Sequence, residues 1–274
     1  MLPVVLTLHV LASTAAPSWQ RLAPGLELGH IHPRPRTRDA GELEVVRADP
    51  RLVRAELATV AQTGGDKRTA SAWADQVARP GDVVVVTNAG MFATDHRSHT
   101  GYLEAPGVVL TPKWNAYQSV FAFDPTPAAP GEDELPSMRL LERDDPAHRA
   151  LLQRYRGRAQ NLRLIAAPGR NKWTRNDRAW SEAALAMDRR GRVLIVFARE
   201  PHQMVDFNAR ILAQLDVVSA QHLEGGPEAS LSIRAPRLRL DRAGSFETGF
   251  FDDSNTEQWP LPNVIVLRAR ARGP

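Results

Sequence analysis

His222-Leu223-Glu224-Gly225-Gly226-Pro227-Glu228-Ala229-Ser230-Leu231 closes a largely apolar run that begins at Leu215. The run reads as a strand entering the interior. Gly225 and Gly226 then let the backbone turn and approach something closely. Residues 222 and 224 of a regular strand share one face, because side chains alternate with period two. The stretch therefore reads as a buried strand that ends in a tight turn flanked by the carboxylates of Glu224 and Glu228. It also reads as an ordinary hairpin turn with solvated glutamates. A second stretch weighs against the simpler reading. Val83-Val84-Val85-Val86 is β-branched throughout, which suits a strand covered on both faces, and it delivers Asn88-Ala89-Gly90-Met91-Phe92 at its end.

Working outward, short strand signals dominate. Residues 43–48, 54–60, 119–123, 162–166, 229–233, 237–240 and 262–267 read as strands, and 246–251 as a further candidate. Tyr102 to Leu110 and Ala183 to Ala198 each carry a hairpin pattern, the second turning at Asp188-Arg189-Arg190-Gly191. Helices are expected around 72–78, 146–155 and 206–215, with Asp206 as the cap of the last. The pattern is α+β: mixed, largely antiparallel sheets with three or four helices in a single domain. Residues 1–16 read as a candidate signal peptide, apolar and ending in Ala-Ser-Thr-Ala-Ala. An exported protein, periplasmic or extracellular, is the corresponding expectation. Residues 17–41, rich in Pro, Arg and Gly, read as an extended N-terminal segment with Pro33 to Arg36 in a loop. Residues 42–272 form the domain.

Composition narrows the chemistry. The 274 residues include no cysteine, which removes disulfides, thiolate metal sites and cysteine nucleophiles. The 35 basic and 31 acidic residues leave a net charge of +4, too small to indicate nucleic acid, and no nucleic-acid motif is present. No stretch has the length of a membrane span. A P-loop, a Rossmann fingerprint and a G-x-S-x-G elbow are all missing. Nothing in the sequence sets the oligomeric state.

Several pieces, in order along the chain, resemble the phosphodiester glycosidase family. They are Asn88-Ala89-Gly90-Met91-Phe92 with Asp95 and Gly101, Gln160 to Ile165, Ala183 to Asp188 with Gly191, the helix around Ile211-Leu212, Leu223 to Ser230, and Pro262 to Ile265. The resemblance covers about residues 40 to 270. It departs at the turn: the family usually has Asp at the position of Glu224 and Gly-Ser at Pro227-Glu228. Its lysosomal members carry Arg-Thr where this chain has Glu182-Ala183.

The resemblance implies hydrolysis of a sugar from a sugar 1-phosphodiester or a related glycan. Such chemistry needs stabilisation of an oxocarbenium-like sugar and two carboxylates from separate loops. Glu224 is the first candidate, as general acid/base or nucleophile. Asp95 is the second, carried over from the family's loop, with turn capping as its alternative role. Asn88 is placed to bond a sugar hydroxyl, to orient a carboxylate or to satisfy the following turn. Gly90, Gly101, Gly225 and Gly226 let backbone approach a ligand or pack closely. Arg163 and Lys172 are candidates for phosphate contact, and Glu228 for a third pocket carboxylate. No cofactor is required. A divalent cation held by His96, His99 and His222 with Asp95 is an alternative, although the spacing matches no standard zinc motif. Two rival functions remain. One is a non-catalytic carbohydrate-binding or envelope-polysaccharide protein, and the other is a metal-dependent phosphodiesterase. The enzyme reading gains if Glu224 and Asp95 face one cleft with carboxyls about 5–10 Å apart, and the binding reading gains if they point apart or if Trp or Tyr side chains fill the cleft.

Overall fold

The computed structural model describes residues 17–32 and 41–269. The candidate signal peptide and the Pro33 to Arg36 loop lie outside these residues. In chain order the strands are β1 (Ser18–Ala23), β2 (Leu26–Ile31), β3 (Leu43–Ala48), β4 (Val53–Thr59), β5 (Val84–Asn88), β6 (Leu103–Ala105), β7 (Val108–Thr111), β8 (Ser119–Pro125) and β9 (Met138–Glu142). They continue with β10 (Tyr155–Asn161), β11 (Arg163–Ala166), β12 (Arg170–Asn171), β13 (Trp180–Asp188), β14 (Val193–His202), β15 (Val217–Gly225), β16 (Ser230–Ala235), β17 (Leu238–Ala243) and β18 (Asn263–Ala269). The helices are α1 (Val60–Thr63), α2 (Ala70–Val77), α3 (Pro146–Leu152) and α4 (Met204–Leu215).

Three antiparallel sheets result. Their strand orders are β1-β2-β3-β14-β13-β15-β11-β12, β7-β6-β10-β8-β9 and β17-β16-β5-β18-β4. The central core joins all three, through residues such as Val46, Val85, Phe121, Ile195, Leu231 and Ile265. Amphipathic α4 lays Phe207, Ile211 and Leu215 on the outer face of the large sheet, against Ala184, Ala186 and Val196. Helix α2 puts Ala70, Trp73 and Ala74 on Val84, Val86, Val264 and Val266. Strand β5 is thus covered on both sides, with Val85 facing the central core and Val84 and Val86 facing α2. Its β-branched run serves that position, because branched side chains fill both faces of a pleat. Among the described residues, no helix is long and apolar enough to cross a membrane.

Several expectations change. The segment before residue 41 is not simply extended: β1 and β2 form a hairpin across Pro24-Gly25 that extends the large sheet beside β3. Trp19 holds the hairpin down. Its ring lies 3.7 Å from the Arg47 guanidinium and against Gly29, where a Cβ would come within 2.7 Å of the ring. Helix α4 starts earlier than expected, with Gln203 at its cap, while Asp206 in the first turn accepts from Arg175 at 2.5 Å. Residues 246–251 make only isolated bridges, Glu247 to Trp180 and Glu247 to Phe251.

Candidate active site

The Glu224 stretch is the passage from one sheet to another. Strand β15 ends at Gly225 in the large sheet, residues Gly226–Glu228 make one 3-10 turn, and β16 begins at Ser230 beside β5. Gly226 has φ +64, the left-handed region that favours glycine. Asn88, the last residue of β5, pins this turn. Its amide nitrogen donates to the Glu228 carbonyl at 2.8 Å, and its carbonyl oxygen accepts from the Ser230 amide at 2.9 Å. The two strand ends singled out in the sequence therefore meet, and Asn88 is consumed in joining them.

Alternation fails within β15. A register shift sets Glu224 opposite Ala183 and His222 opposite Ala184, leaving Leu223 as an extra residue. Ala183 and Ala184 are neighbours on β13, so their side chains leave by opposite faces. His222 and Glu224 consequently do not share a face, contrary to the expectation for a regular strand. The bulge re-aims Glu224, while His222 bonds the fully buried Glu182 through Nδ1 at 2.8 and 2.9 Å. Trp180 Nε1 donates to Glu182 Oε2 at 2.6 Å.

Electrostatics follow from burial. Desolvation raises Glu182 despite the His222 and Trp180 contacts. Burial works against a charged His222, but Glu182, with Glu224 and Glu247 behind it, outweighs burial and raises its pKa. The buried pair therefore holds its proton to higher pH than either group would alone. Glu224 is half-buried, and desolvation pushes its carboxyl up to about 8. His222 and the Gly225 amide, 3.2 Å from Oε1, pull the other way, while Glu228 adds to the rise. Burial also raises Glu228, with Glu247 adding to the rise and Lys67 opposing it.

Glu247 is the group that sequence reading missed. A Cβ on Gly226 would lie 3.2 Å from Glu247 Oε2 and 3.7 Å from Glu228 Oε2. Those two oxygens are therefore at most about 7 Å apart, inside the span of about 5–10 Å that carboxylate pairs use in glycoside hydrolysis. Arg178 reaches Glu247 at 3.2 Å, with its guanidinium 5.7 Å from the Trp180 ring and 6.0 Å from Phe250. A groove of about 750 Å³ adjoins the turn, with Pro227, Phe250, Phe251, Asn255, Gln258 and Trp259 in its wall. That size accommodates one or two sugar rings.

The remaining candidates have structural partners of their own or stand in solvent. Asp95 is exposed, and its carboxylate accepts from the Arg97 amide, the Ser98 amide and the Ser98 hydroxyl. These bonds hold it down at about 2, so it serves as a turn cap in charged form. The three histidines do not converge. His96 is exposed beside Phe92, His99 is buried against the Gln160 carbonyl at 2.8 Å, and His222 belongs to Glu182. Burial takes His99 down to about 4. Arg163 is occupied by Asp144 at 2.9 Å and Glu142 at 3.3 Å. Lys172 is exposed just past β12, the edge strand of the large sheet two strands from β15. Gly101 serves packing, since a Cβ there would come 2.4 Å from the Gln160 carbonyl oxygen. Gly90 packs in the same way against Asn161 and His99. Gly225 lies against Trp180, with a Cβ only 2.6 Å from the ring.

The half-buried carboxylates Glu224 and Glu228 thus stand at a junction between two sheets of an α+β scaffold. The family model for phosphodiester glycosidases matches residues 81–268, and the chain belongs to that family. Among solved structures it is similar to the catalytic domain of zebrafish N-acetylglucosamine-1-phosphodiester alpha-N-acetylglucosaminidase, auto-inhibited by its pro-peptide. That match has a TM-score of 0.59 and 14% identity, over 96% of this chain and 91% of that one. It is also similar to a hypothetical protein from Synechocystis, with a TM-score of 0.57 and 15% identity over 94% of this chain. This chain spans 65% of the Synechocystis protein's length. No curated protein matches in sequence.

Proposed function

We propose that this protein hydrolyses the bond between a sugar's anomeric carbon and the bridging oxygen of a sugar 1-phosphodiester, with Glu224 as general acid. The observation that carries the reading is Glu224 itself: a half-buried carboxyl, raised to about 8, beside a second carboxylate pair. At neutral pH it holds a proton while an ordinary glutamate does not. That proton passes to the bridging oxygen as the bond to the sugar breaks, releasing a phosphomonoester. Water adds to the anomeric carbon and gives its proton to Glu228. The charge of Glu247 stabilises the oxocarbenium-like sugar. Lys67, which attracts Glu228, and Arg178, which pairs with Glu247, take the phosphate oxygens.

Family membership supports the reaction class, and the zebrafish relative supplies a first substrate to try, an N-acetylglucosamine 1-phosphodiester. The test is hydrolysis of a panel of sugar 1-phosphodiesters and nucleotide-sugars by wild type and Glu224→Gln. The proposal expects cleavage of at least one panel member, a kcat/KM for it that declines as pH rises through about 8, and a loss of at least about 100-fold in the variant. An unimpaired variant overturns it. The aromatic wall of the groove favours one other reading, carbohydrate binding without cleavage. Saturable sugar binding with no turnover across the panel selects that reading.

A further inference from the structure

A second group of side chains lies outside the carboxylate junction. His30 on β2 and Glu44 on β3 are cross-strand partners, and Glu42 precedes β3. One ligand atom from each of the three lies within 4.8 Å of the others. His30 Nδ1 is 2.5 Å from Glu42 Oε1, and His32 Nδ1 is 2.8 Å from Glu42 Oε2. Glu44 is 6% exposed. Its Oε1 accepts from Arg242 at 2.6 Å, but its buried Oε2 has no hydrogen-bond donor among the described residues. A buried carboxylate oxygen without a donor is costly, so its partner is to be sought.

We propose that His30, Glu42 and Glu44, with His32 within reach, form a binding site for a divalent cation of the zinc type. Imidazole nitrogen with carboxylate oxygen suits zinc, whereas calcium and magnesium prefer oxygen alone. The Arg242 contact fits this role, because ligating carboxylates are themselves oriented by hydrogen bonds on their other oxygen. The cation takes the place of the short contact between His30 and Glu42. The ligands stand at the two ends of the connection between β2 and β3, so the ion closes that connection as a structural clip. It is separate from the proposed catalytic group. Glu44, Phe197, Ala183 and Glu224 lie in one cross-strand row, which sets the two sites three strand spacings, about 14 Å, apart.

The test titrates zinc chloride into the chelator-stripped full chain, followed by calorimetry and by the thermal midpoint. One zinc per chain is expected, with a midpoint rise of about 5–10 °C at a hundredfold excess over the Kd, and no rise with magnesium. His30→Gln and Glu42→Gln each weaken zinc binding at least about tenfold. Both positions are half-exposed, so these variants keep the wild-type circular dichroism spectrum, whereas Glu44→Gln also disturbs Arg242. Glu224→Gln binds zinc like wild type. Absence of zinc uptake by wild type, or unchanged affinity in folded His30→Gln and Glu42→Gln, overturns the proposal.

Discussion

Replacing Glu224 with glutamine is expected to stabilise the protein at neutral pH while removing its activity. The folded carboxyl is held at about 8 chiefly by burial, against 4.5 for an ordinary glutamate. Below pH 4.5 both the folded and the unfolded chain carry the proton, and the group's ionisation does not affect stability. As pH rises from 4.5 towards 8, the unfolded chain releases the proton and the folded chain retains it. Wild type therefore loses stability across that window, by about 1.36 kcal/mol per pH unit for one fully shifted group. From pH 4.5 to 7 this amounts to about 3 kcal/mol, and solvent contact at the half-buried carboxyl reduces it to about 2 kcal/mol. Glutamine imitates the protonated acid at every pH. The assay is urea unfolding of both proteins at pH 4 and pH 7, comparing the difference between them at each pH so that constant packing effects cancel. The variant should gain about 2–3 kcal/mol relative to wild type between the two pH values. A difference that stays constant within about 0.5 kcal/mol would refute the claim that Glu224 is neutral in the folded protein.

Other outcomes follow from the same geometry. Gly90→Ala sets a Cβ 2.0 Å from Asn161 Oδ1 at φ +143, and a loss of about 3 kcal/mol or more in urea unfolding is expected. His222→Ala leaves Glu182 buried without its cationic partner, and it should cost about 3–5 kcal/mol, read as a lowered thermal midpoint. Asp95→Asn keeps an oxygen for the turn, so kcat/KM should stay within about threefold of wild type, and a hundredfold loss would return Asp95 to the catalytic group. Lys67→Ala should raise KM about tenfold for a phosphodiester substrate and leave a neutral aryl glycoside unaffected, as initial-rate measurements would show.

Much of the scaffold was legible in the sequence because burial imposes its own pattern. The β-branched run of β5 and the Asp188 to Gly191 hairpin require little beyond local chemistry. Strands β1 and β2 carry little local signal, because Pro24, Gly25 and Gly29 read as breakers, and only Trp19 packing across Gly29 reveals a hairpin. The junction at Gly225-Gly226 was found, together with its Asn88 partner. Glu182 is the charged residue inside the largely apolar run from Trp180 to Met187, and that misfit is the available signal of a buried partner. His222 stands 40 positions further along the chain and reaches Glu182 only through the β13–β15 register. The bulge at Leu223 leaves no local mark. Glu247 sits in an irregular segment, and nothing in its neighbours announces that it meets Gly226. Asp95 shows an ambiguity of another kind: an aspartate followed three residues later by serine serves a turn as readily as a catalytic loop.

The central claim is that the bond broken is the one between sugar carbon and oxygen, and hydrolysis in water enriched in oxygen-18 tests it most directly. A sugar 1-phosphodiester that the protein cleaves is incubated in the labelled water, and both products are weighed by mass spectrometry. The account predicts the label on the released sugar and none on the phosphomonoester. Label on the phosphate would show attack at phosphorus and would contradict the assignment of Glu224, Glu228 and Glu247 to glycosidic chemistry.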